Sequence, residues 1–187
     1  VRVPDHRLDV LAAMYRPEKV THAILEVVDI AGLVAGASHG EGLGNAFLAN
    51  IREVDAIGHV VRCFDDGNVT HVSGTIDPAA DIEVVELELI LSDLAYIGRR
   101  LEKTARAAKS GDPALKEEVR FLEELETHLS ASKPARTFAD GGREWPQDLF
   151  LLTSKPLLYI ANVAEDDIGG QSPHVAAVRT VAAAENA

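Results

Sequence analysis

Cysteine is almost missing from this chain: Cys63 is the only one in 187 residues. A single thiol excludes an internal disulfide framework and fits a reducing cytosol. Cys63 sits near the end of an apolar run, so it reads as a small buried hydrophobe. Long hydrophobic runs are missing too. The longest apolar stretches are broken by Glu, Asp or Arg, so none reaches membrane-spanning length. The first ten residues, VRVPDHRLDV, contain no apolar segment of the kind a secretory signal needs. Their opening Val1, in place of methionine, predicts that the gene starts upstream. Positive charge is scarce, with 18 Lys and Arg against 30 Asp and Glu, a net charge of −12. Polyanions are repelled by most of such a surface, so nucleic acid can be met only through a local basic patch. No membrane contact and no DNA partner are expected. There is no internal repeat and no low-complexity tract.

What is present is enough apolar material for a real core, 47% of residues, arranged with three different periods. Residues 23–92 alternate between strand and helix patterns. Ala23–Val28 is a mostly apolar run ending at Asp29, and Ala56–Phe64 is another. Both suit strands of a parallel sheet covered on both faces. Between them Leu43, Phe47, Asn50/Ile51 and Val54 recur at helical spacing. Strand, loop, helix, strand is the grammar of an α/β fold. Over residues 81–133 the period changes. Leu87, Ile90, Leu91, Leu94, Ile97 and Leu101 step by three and four, and so do Leu115, Val119, Leu122, Leu125 and Leu129. Between the two series stands Lys109-Ser110-Gly111-Asp112-Pro113, in which Gly ends one helix, Asp caps the next and Pro opens it. The pattern predicts an antiparallel helical hairpin, either a protruding arm or two helices of a compact core. Residues 134–155, with Pro134, Gly141-Gly142 and Pro146, read as a connector holding at most a short helix near 147–152. Lys155–Ala161 is a third strand, leading into Asn162. Pro173–Ala184 is an amphipathic helix through Val175, Val178 and Val181.

Three places could carry chemistry. The first is Asp29-Ile30-Ala31-Gly32, directly after an apolar strand. A carboxylate at the carboxyl end of a parallel strand stands where open α/β sheets bind ligands. In nucleotide hydrolases such an Asp holds Mg²⁺, usually through water, and the following Gly, here Gly32, offers its N–H to the γ-phosphate. The second is the segment from Gly36 to Asn45, with Gly36, Gly40, Gly42 and Gly44. It reads as a flexible surface loop or as a switch ordered by a γ-phosphate. Having no Lys, it is not itself a phosphate loop. The third is Asn162-Val163-Ala164-Glu165, at the end of a strand. Guanine-specific enzymes place Asn-Lys-x-Asp here, the Asp accepting both guanine donors. With Val163 for Lys and Glu165 for Asp, guanine preference should relax or vanish.

Six stretches together resemble the YchF/Obg-like ATPase family. They are Val3-Pro4-Asp5-x-Arg7-Leu8-Asp9, Val28–Val34, Gly36-Ala37-Ser38, Gly40–Asn45, Phe47–Glu53 and His59–Phe64. The likeness spans nearly the whole chain and is most specific up to about Asp93 and across Leu151–Asp167. It implies an α/β fold, a partial Ras-like P-loop nucleotide hydrolase domain with a mainly parallel sheet and an inserted coiled-coil hairpin. The G domain would comprise residues 1–80 and 156–187, the hairpin 81–133 and the connector 134–155. The resemblance also implies a cytoplasmic, ribosome-associated, Mg²⁺-dependent hydrolase of ATP that tolerates GTP. It assigns Asp29 and Gly32 to the second switch, and Asn162, Val163 and Glu165 to base reading. Leu33 stands where related enzymes carry a water-orienting Gln. The family's substitute is a His on a mobile loop, for which His71 is one candidate and His39 another.

The chain departs from the family pattern in lacking the phosphate loop Gly-x-x-x-x-Gly-Lys-Ser, the first switch with its Mg²⁺-binding Thr, the last base-contacting loop and the C-terminal TGS domain. Without the phosphate-loop backbone and its Lys the main triphosphate cradle is gone. The chain by itself is therefore expected neither to bind ATP tightly nor to hydrolyse it, and to be poorly stable alone. A different class of function also fits, a non-catalytic module in which the helical arm grips the ribosome or a protein. A strictly guanine-specific enzyme is disfavoured by Val163 and Glu165. Arg99, Arg100, Lys103, Arg106 and Lys109 cluster at the end of the first arm helix, either as a solvated face or as a contact for ribosomal RNA phosphates.

Overall fold

A computed structural model describes residues 1–30, 48, 50–66, 76–146, 148–185 and 187. The Gly-rich segment with Gly36, Gly40, Gly42 and Gly44, and also Gly32, Leu33, His39 and His71, lie outside the described residues. The chain divides into two compact units, Val1–Ala31 and Gly32–Ala187.

In the first unit, Asp5 caps helix α1 (His6–Tyr15) by accepting a hydrogen bond from the Arg7 amide at 3.0 Å. Its carboxylate also takes both arms of the Arg7 guanidinium, at 2.9 and 2.7 Å. The helix ends at Arg16, in the left-handed region at φ 43, with its N–H on the Ala12 carbonyl. Residues 1–3 and 23–25 lie antiparallel through Val3 N–H to Ala23 O, 2.9 Å, and Leu25 N–H to Val1 O, 2.8 Å. This corrects the expectation of a parallel strand over Ala23–Val28. The run makes one isolated antiparallel bridge, Arg2 to Ile24, and residues 25–30 carry no regular structure. Apolar β-branched residues favour extended backbone, but a strand exists only as a ladder of shared hydrogen bonds. Among the described residues no parallel neighbour supplies one.

The second unit is built on two parallel strands, β1 (Ile57–Arg62) and β2 (Leu157–Asn162), in register from Ile57 beside Leu157 to Arg62 beside Asn162. The ladder is extended by Ile57 N–H to Pro156 O and Cys63 N–H to Asn162 O. Strand side chains alternate faces, so His59, Val61, Tyr159 and Ala161 share one. That face packs with Cys63 against Ile82, Val175 and Val178. The opposite face is open: Val60 is 60% and Leu158 62% exposed.

Helix α2 (Pro78–Ala107) follows the first strand. Its start is set by Asp77, which accepts from the Ala80 amide at 3.1 Å, and by Pro78 in the first turn. At 30 residues it is about 45 Å long. Gly111 at φ +93 turns the chain, Asp112 caps by accepting from Ala114 N–H at 2.9 Å, and α3 (Pro113–Ser130) runs back along α2. Ile90 and Ile97 meet Phe121, Leu122, Leu125 and Leu129 in a second core. The connector completes this core. Ala135, Leu149 and Leu151 enter it, and Phe138 and Trp145 stack edge-on with Phe121 at ring separations of 5.7 and 5.4 Å.

At most a short helix was expected near 147–152, and the described residues 148–152 form none. The Leu149 amide closes one turn on Pro146 O, and those of Leu152 and Thr153 go instead to the Asp93 carboxylate, at 2.9 and 2.8 Å. Once those donors serve a buried side chain they cannot serve a helix.

The chain leaves β2 through a 3₁₀ turn, Glu165–Asp167, and enters α4 (Pro173–Glu185). Asp167 shapes that passage by accepting from the amides of Gln171, 2.6 Å, and Ser172, 3.1 Å. These bonds, Gln171 first, hold its carboxyl below the usual range.

Two outcomes follow. Leu122 is fully buried, so Leu122→Ala should lower stability by about 2–5 kcal/mol through lost burial and a cavity, read by denaturant unfolding; a loss under about 1 kcal/mol would show that the second core is not load-sharing. Because the Asp167 carboxyl is lowered on folding, its stabilisation is complete above the unfolded value and disappears as pH falls through the folded one. The Gln171 and Ser172 amide resonances should titrate with a midpoint below the ordinary 3.8, and a midpoint at or above it contradicts the cap.

Candidate functional site

The carboxyl ends of the two strands form the best-defined candidate. Register places Asn162 beside Arg62 in the last pair of the ladder. The Asn162 carbonyl accepts from Cys63 N–H at 2.7 Å, which fixes the backbone where the chain leaves the sheet. The Asn162 side chain is exposed, and Val163 is half-buried against the Val61–Val175–Val178 core. Val163 thus anchors the loop from beneath while Asn162 and Glu165 face solvent on either side of it. The turn is closed by Asp167 N–H on Ala164 O, 3.0 Å, and Gly170 N–H on Asp167 O, 2.8 Å. Gly170 has φ +62, and a Cβ there would press to 3.1 Å from the Arg179 guanidinium and 3.3 Å from Val175. This is a position where only Gly combines the required φ with the space.

The β1 side of this edge is held by Arg62. Its Nε donates to Phe64 O at 3.0 Å, and the guanidinium lies 4.7 Å over the Phe64 ring. His174, at the start of α4, reaches Asp65 at 3.5 Å. Cys63 is buried as expected, and burial pushes its thiol up, away from the reactive thiolate. His59 stacks on Tyr159 at 5.7 Å; burial lowers its pKa, outweighing Asp81 and Glu185, so it serves as a neutral packing group.

Of the residues singled out from sequence, Asn162, Val163 and Glu165 are brought onto one short loop. Asp29 lies in the first unit, exposed and without a hydrogen-bond or ion-pair partner among the described residues. No group of three metal-ligating side chains occurs among the described residues. No helix there is long and apolar enough to cross a membrane.

The basic cluster is not uniform. Arg100 is occupied, pairing with Glu118 at 2.8 Å and Asp148 at 2.6 Å. Arg106 reaches Glu102 at 3.4 Å. Arg99, Lys103 and Lys109 are exposed. Residues that sequence reasoning passed over are Arg52, Asp93 and Lys155, which tie the segment after the Gly-rich sequence to α2 and the connector. One signal was available: Asp93 falls between Ile90 and Ile97 on the apolar stripe of α2, where a charge needs partners.

No protein-family model matches the chain. A "Ribosome-binding ATPase YchF" of Bacillus subtilis (strain 168) is 47% identical over 191 residues, covering all of this chain and 52% of that protein. One of Haemophilus ducreyi is 49% identical over 189 residues, with the same coverage. Among solved structures, that of the Schizosaccharomyces pombe YchF GTPase superimposes with a TM-score of 0.76 at 35% identity, over 97% of this chain and 50% of that one. The chain spans about half the length of these relatives. By sequence and by fold, the chain is similar along its length to about half of a YchF protein.

Proposed function

We propose that these residues are the switch and base-reading portion of a ribosome-associated, Mg²⁺-dependent nucleotide hydrolase that uses ATP and tolerates GTP in the cytoplasm. Residues 1–80 and 156–187 are two parts of its nucleotide-binding domain. Residues 81–133 are an inserted coiled-coil arm, and 134–155 the connector that returns from it. The observation that carries this reading is the loop Asn162–Glu165, set at the carboxyl end of a parallel strand in a chain matched along its whole length by proteins named for this activity.

In this reading Asn162 and Glu165 meet the base, while Val163, turned into the core, holds the loop at its depth. Guanine presents N1–H and N2–H₂ donors that a rigidly held Asp accepts together. A longer Glu with no Lys to fix it lacks that grip, and adenine is admitted. Asp29, exposed after the apolar run Ala23–Val28, is the Mg²⁺-directed carboxylate, acting through water. The metal supplies charge neutralisation at the phosphates. Gly32 offers its N–H to the γ-phosphate, and Gly36, Gly40, Gly42 and Gly44 belong to the switch segment. Leu33 cannot orient water, so a His does, His71 or His39. The exposed Arg99 and Lys103 face of α2 is the surface offered to ribosomal RNA phosphates.

A nucleotide titration with a turnover assay tests the chemistry. The 187-residue chain, which contains no Gly-x-x-x-x-Gly-Lys motif, should show no tight ATP binding and no turnover, while a full-length YchF protein carrying the same residues shows both. In that full-length protein Val163→Lys with Glu165→Asp should raise the GTP-to-ATP preference by about tenfold, the worth of one charged hydrogen-bonded contact. An unchanged preference removes the base-reading assignment, and no nucleotide binding by the full-length protein favours a non-catalytic arm module. Arg99→Glu with Lys103→Glu should weaken ribosome co-sedimentation at moderate salt by about tenfold; undiminished binding takes the RNA contact off this face.

A further inference from the structure

The segment 50–53 is helical and lies a few residues after the Gly-rich sequence, which ends at Asn45. Its Arg52 has a set of partners drawn from two other parts of the second unit. The guanidinium donates to Phe150 O at 2.7 Å, in the connector, and to Ser92 Oγ at 3.2 Å, in α2. It lies 5.0 Å over the Tyr96 ring and 3.9 Å from the Asp93 carboxylate. The backbone of the same segment is gripped separately: Lys155 Nζ donates to Arg52 O at 3.1 Å and to Val54 O.

Asp93 is the inner half of this junction. It is 0% exposed, and its oxygens accept from Leu152 N–H, Thr153 N–H and Thr153 Oγ1–H at 2.8–2.9 Å. Thr153 Oγ1 in turn accepts from Ala135 N–H at 2.9 Å, where the connector leaves α3. Two residues beyond Thr153 comes Lys155, and two beyond that β2 begins, ending at Asn162. Arg52, one residue, therefore touches the middle of the first arm helix and the strip of chain that feeds the base-reading strand.

A clamp built only for stability would not need a cation here. Apolar side chains of similar volume commonly replace a buried ion pair without loss. What a planar guanidinium adds is direction, since its fixed fork bonds two oxygens on different elements at once and stacks on a ring. If segment 50–53 shifts along its axis, those bonds cannot all persist, and α2 must follow or the grip must break. Such an all-or-none contact is the kind of element that transmits a state from one site to another.

We propose that Arg52, seated on Ser92, Asp93, Tyr96 and Phe150, is the positioning residue that couples the Gly-rich switch segment to the helical arm, so that nucleotide state sets ribosome affinity. The proposal rests on the reading of residues 36–44 as the nucleotide switch and of 81–133 as the ribosome-facing arm. Arg52 acts through α2 and touches no nucleotide.

The test uses a full-length YchF protein carrying these residues, with ribosome co-sedimentation in ADP and in a non-hydrolysable ATP analogue, ATP turnover, and melting temperature. The unsubstituted protein should show ribosome affinities differing by at least about fivefold between the two nucleotides, the lower end of ordinary coupling. Arg52→Met should bring that ratio to about one while free turnover stays within about twofold. The double variant Arg52→Met, Asp93→Asn removes both charges. It should recover the melting temperature and still show no ratio. A ratio retained by Arg52→Met overturns the coupling while leaving the hydrolase reading intact. A ratio restored together with the melting temperature in the double variant overturns it too, since Arg52 would then be merely structural. A protein that neither hydrolyses ATP nor distinguishes the nucleotides on the ribosome overturns both the reading and the coupling.

Discussion

The second unit is organised around one buried carboxylate. Asp93 has no exposure, and desolvation alone would push it toward its neutral form; its carboxyl pKa is raised for that reason. Opposing this are two backbone amides, a hydroxyl and the Arg52 guanidinium. A buried charge left without such partners is among the most costly features a fold can contain. The consequence runs outward from it. Leu152 and Thr153 are held as a non-helical strip against α2, Leu151 is directed into the second core and β2 is delivered to its place beside β1.

A second polar junction joins the two cores. Arg136, at the start of the connector, binds Glu86 of α2 and Glu185 of α4, the latter at 2.8 Å. Tyr159 of β2 donates to the same Glu185 at 2.7 Å. Burial and the neighbouring carboxylate keep the Tyr159 hydroxyl protonated, as a donor must be, and burial raises Glu86 despite Arg136 beside it. Strand β2, helices α2 and α4 and the connector thus meet in a cluster where Glu86 and Glu185 share the single Arg136 guanidinium. With Asp93 and Arg52 it ties α2 at two points along its length to the connector, to α4 and to β2.

The resemblance to the YchF family was carried by short runs such as Gly40–Asn45 and His59–Phe64, and the comparisons agree with it along the whole chain. Much of the architecture was legible for the same reason: local chemistry speaks clearly at element ends. Gly111-Asp112-Pro113 marks a helix stop and restart in any context, because one residue needs positive φ, one caps and one cannot continue. The strands around Val60 and Ile160 were legible from β-branched runs. Less legible was what lies on each face. The same apolar runs suit a sheet covered on both sides, yet here Val60, Leu158 and Ile160 stand open. Composition records that a residue is apolar and not whether a neighbour is present.

The helix stop and restart at Gly111-Asp112-Pro113, the strands around Val60 and Ile160, the burial of Cys63 and the composition of the loop Asn162–Glu165 were determined by the sequence itself, because each depends on residues within a turn or two of one another. Tertiary structure alone decided that Ala23–Val28 would make a single antiparallel bridge, that the amides of Leu152 and Thr153 would go to the carboxylate of Asp93, and that Arg100 would be consumed by Glu118 and Asp148. The partners in those cases lie from 18 to about 60 residues away. A hydrogen-bonding group takes whichever partner the folded chain sets within about 3 Å, and distance along the chain gives no measure of that.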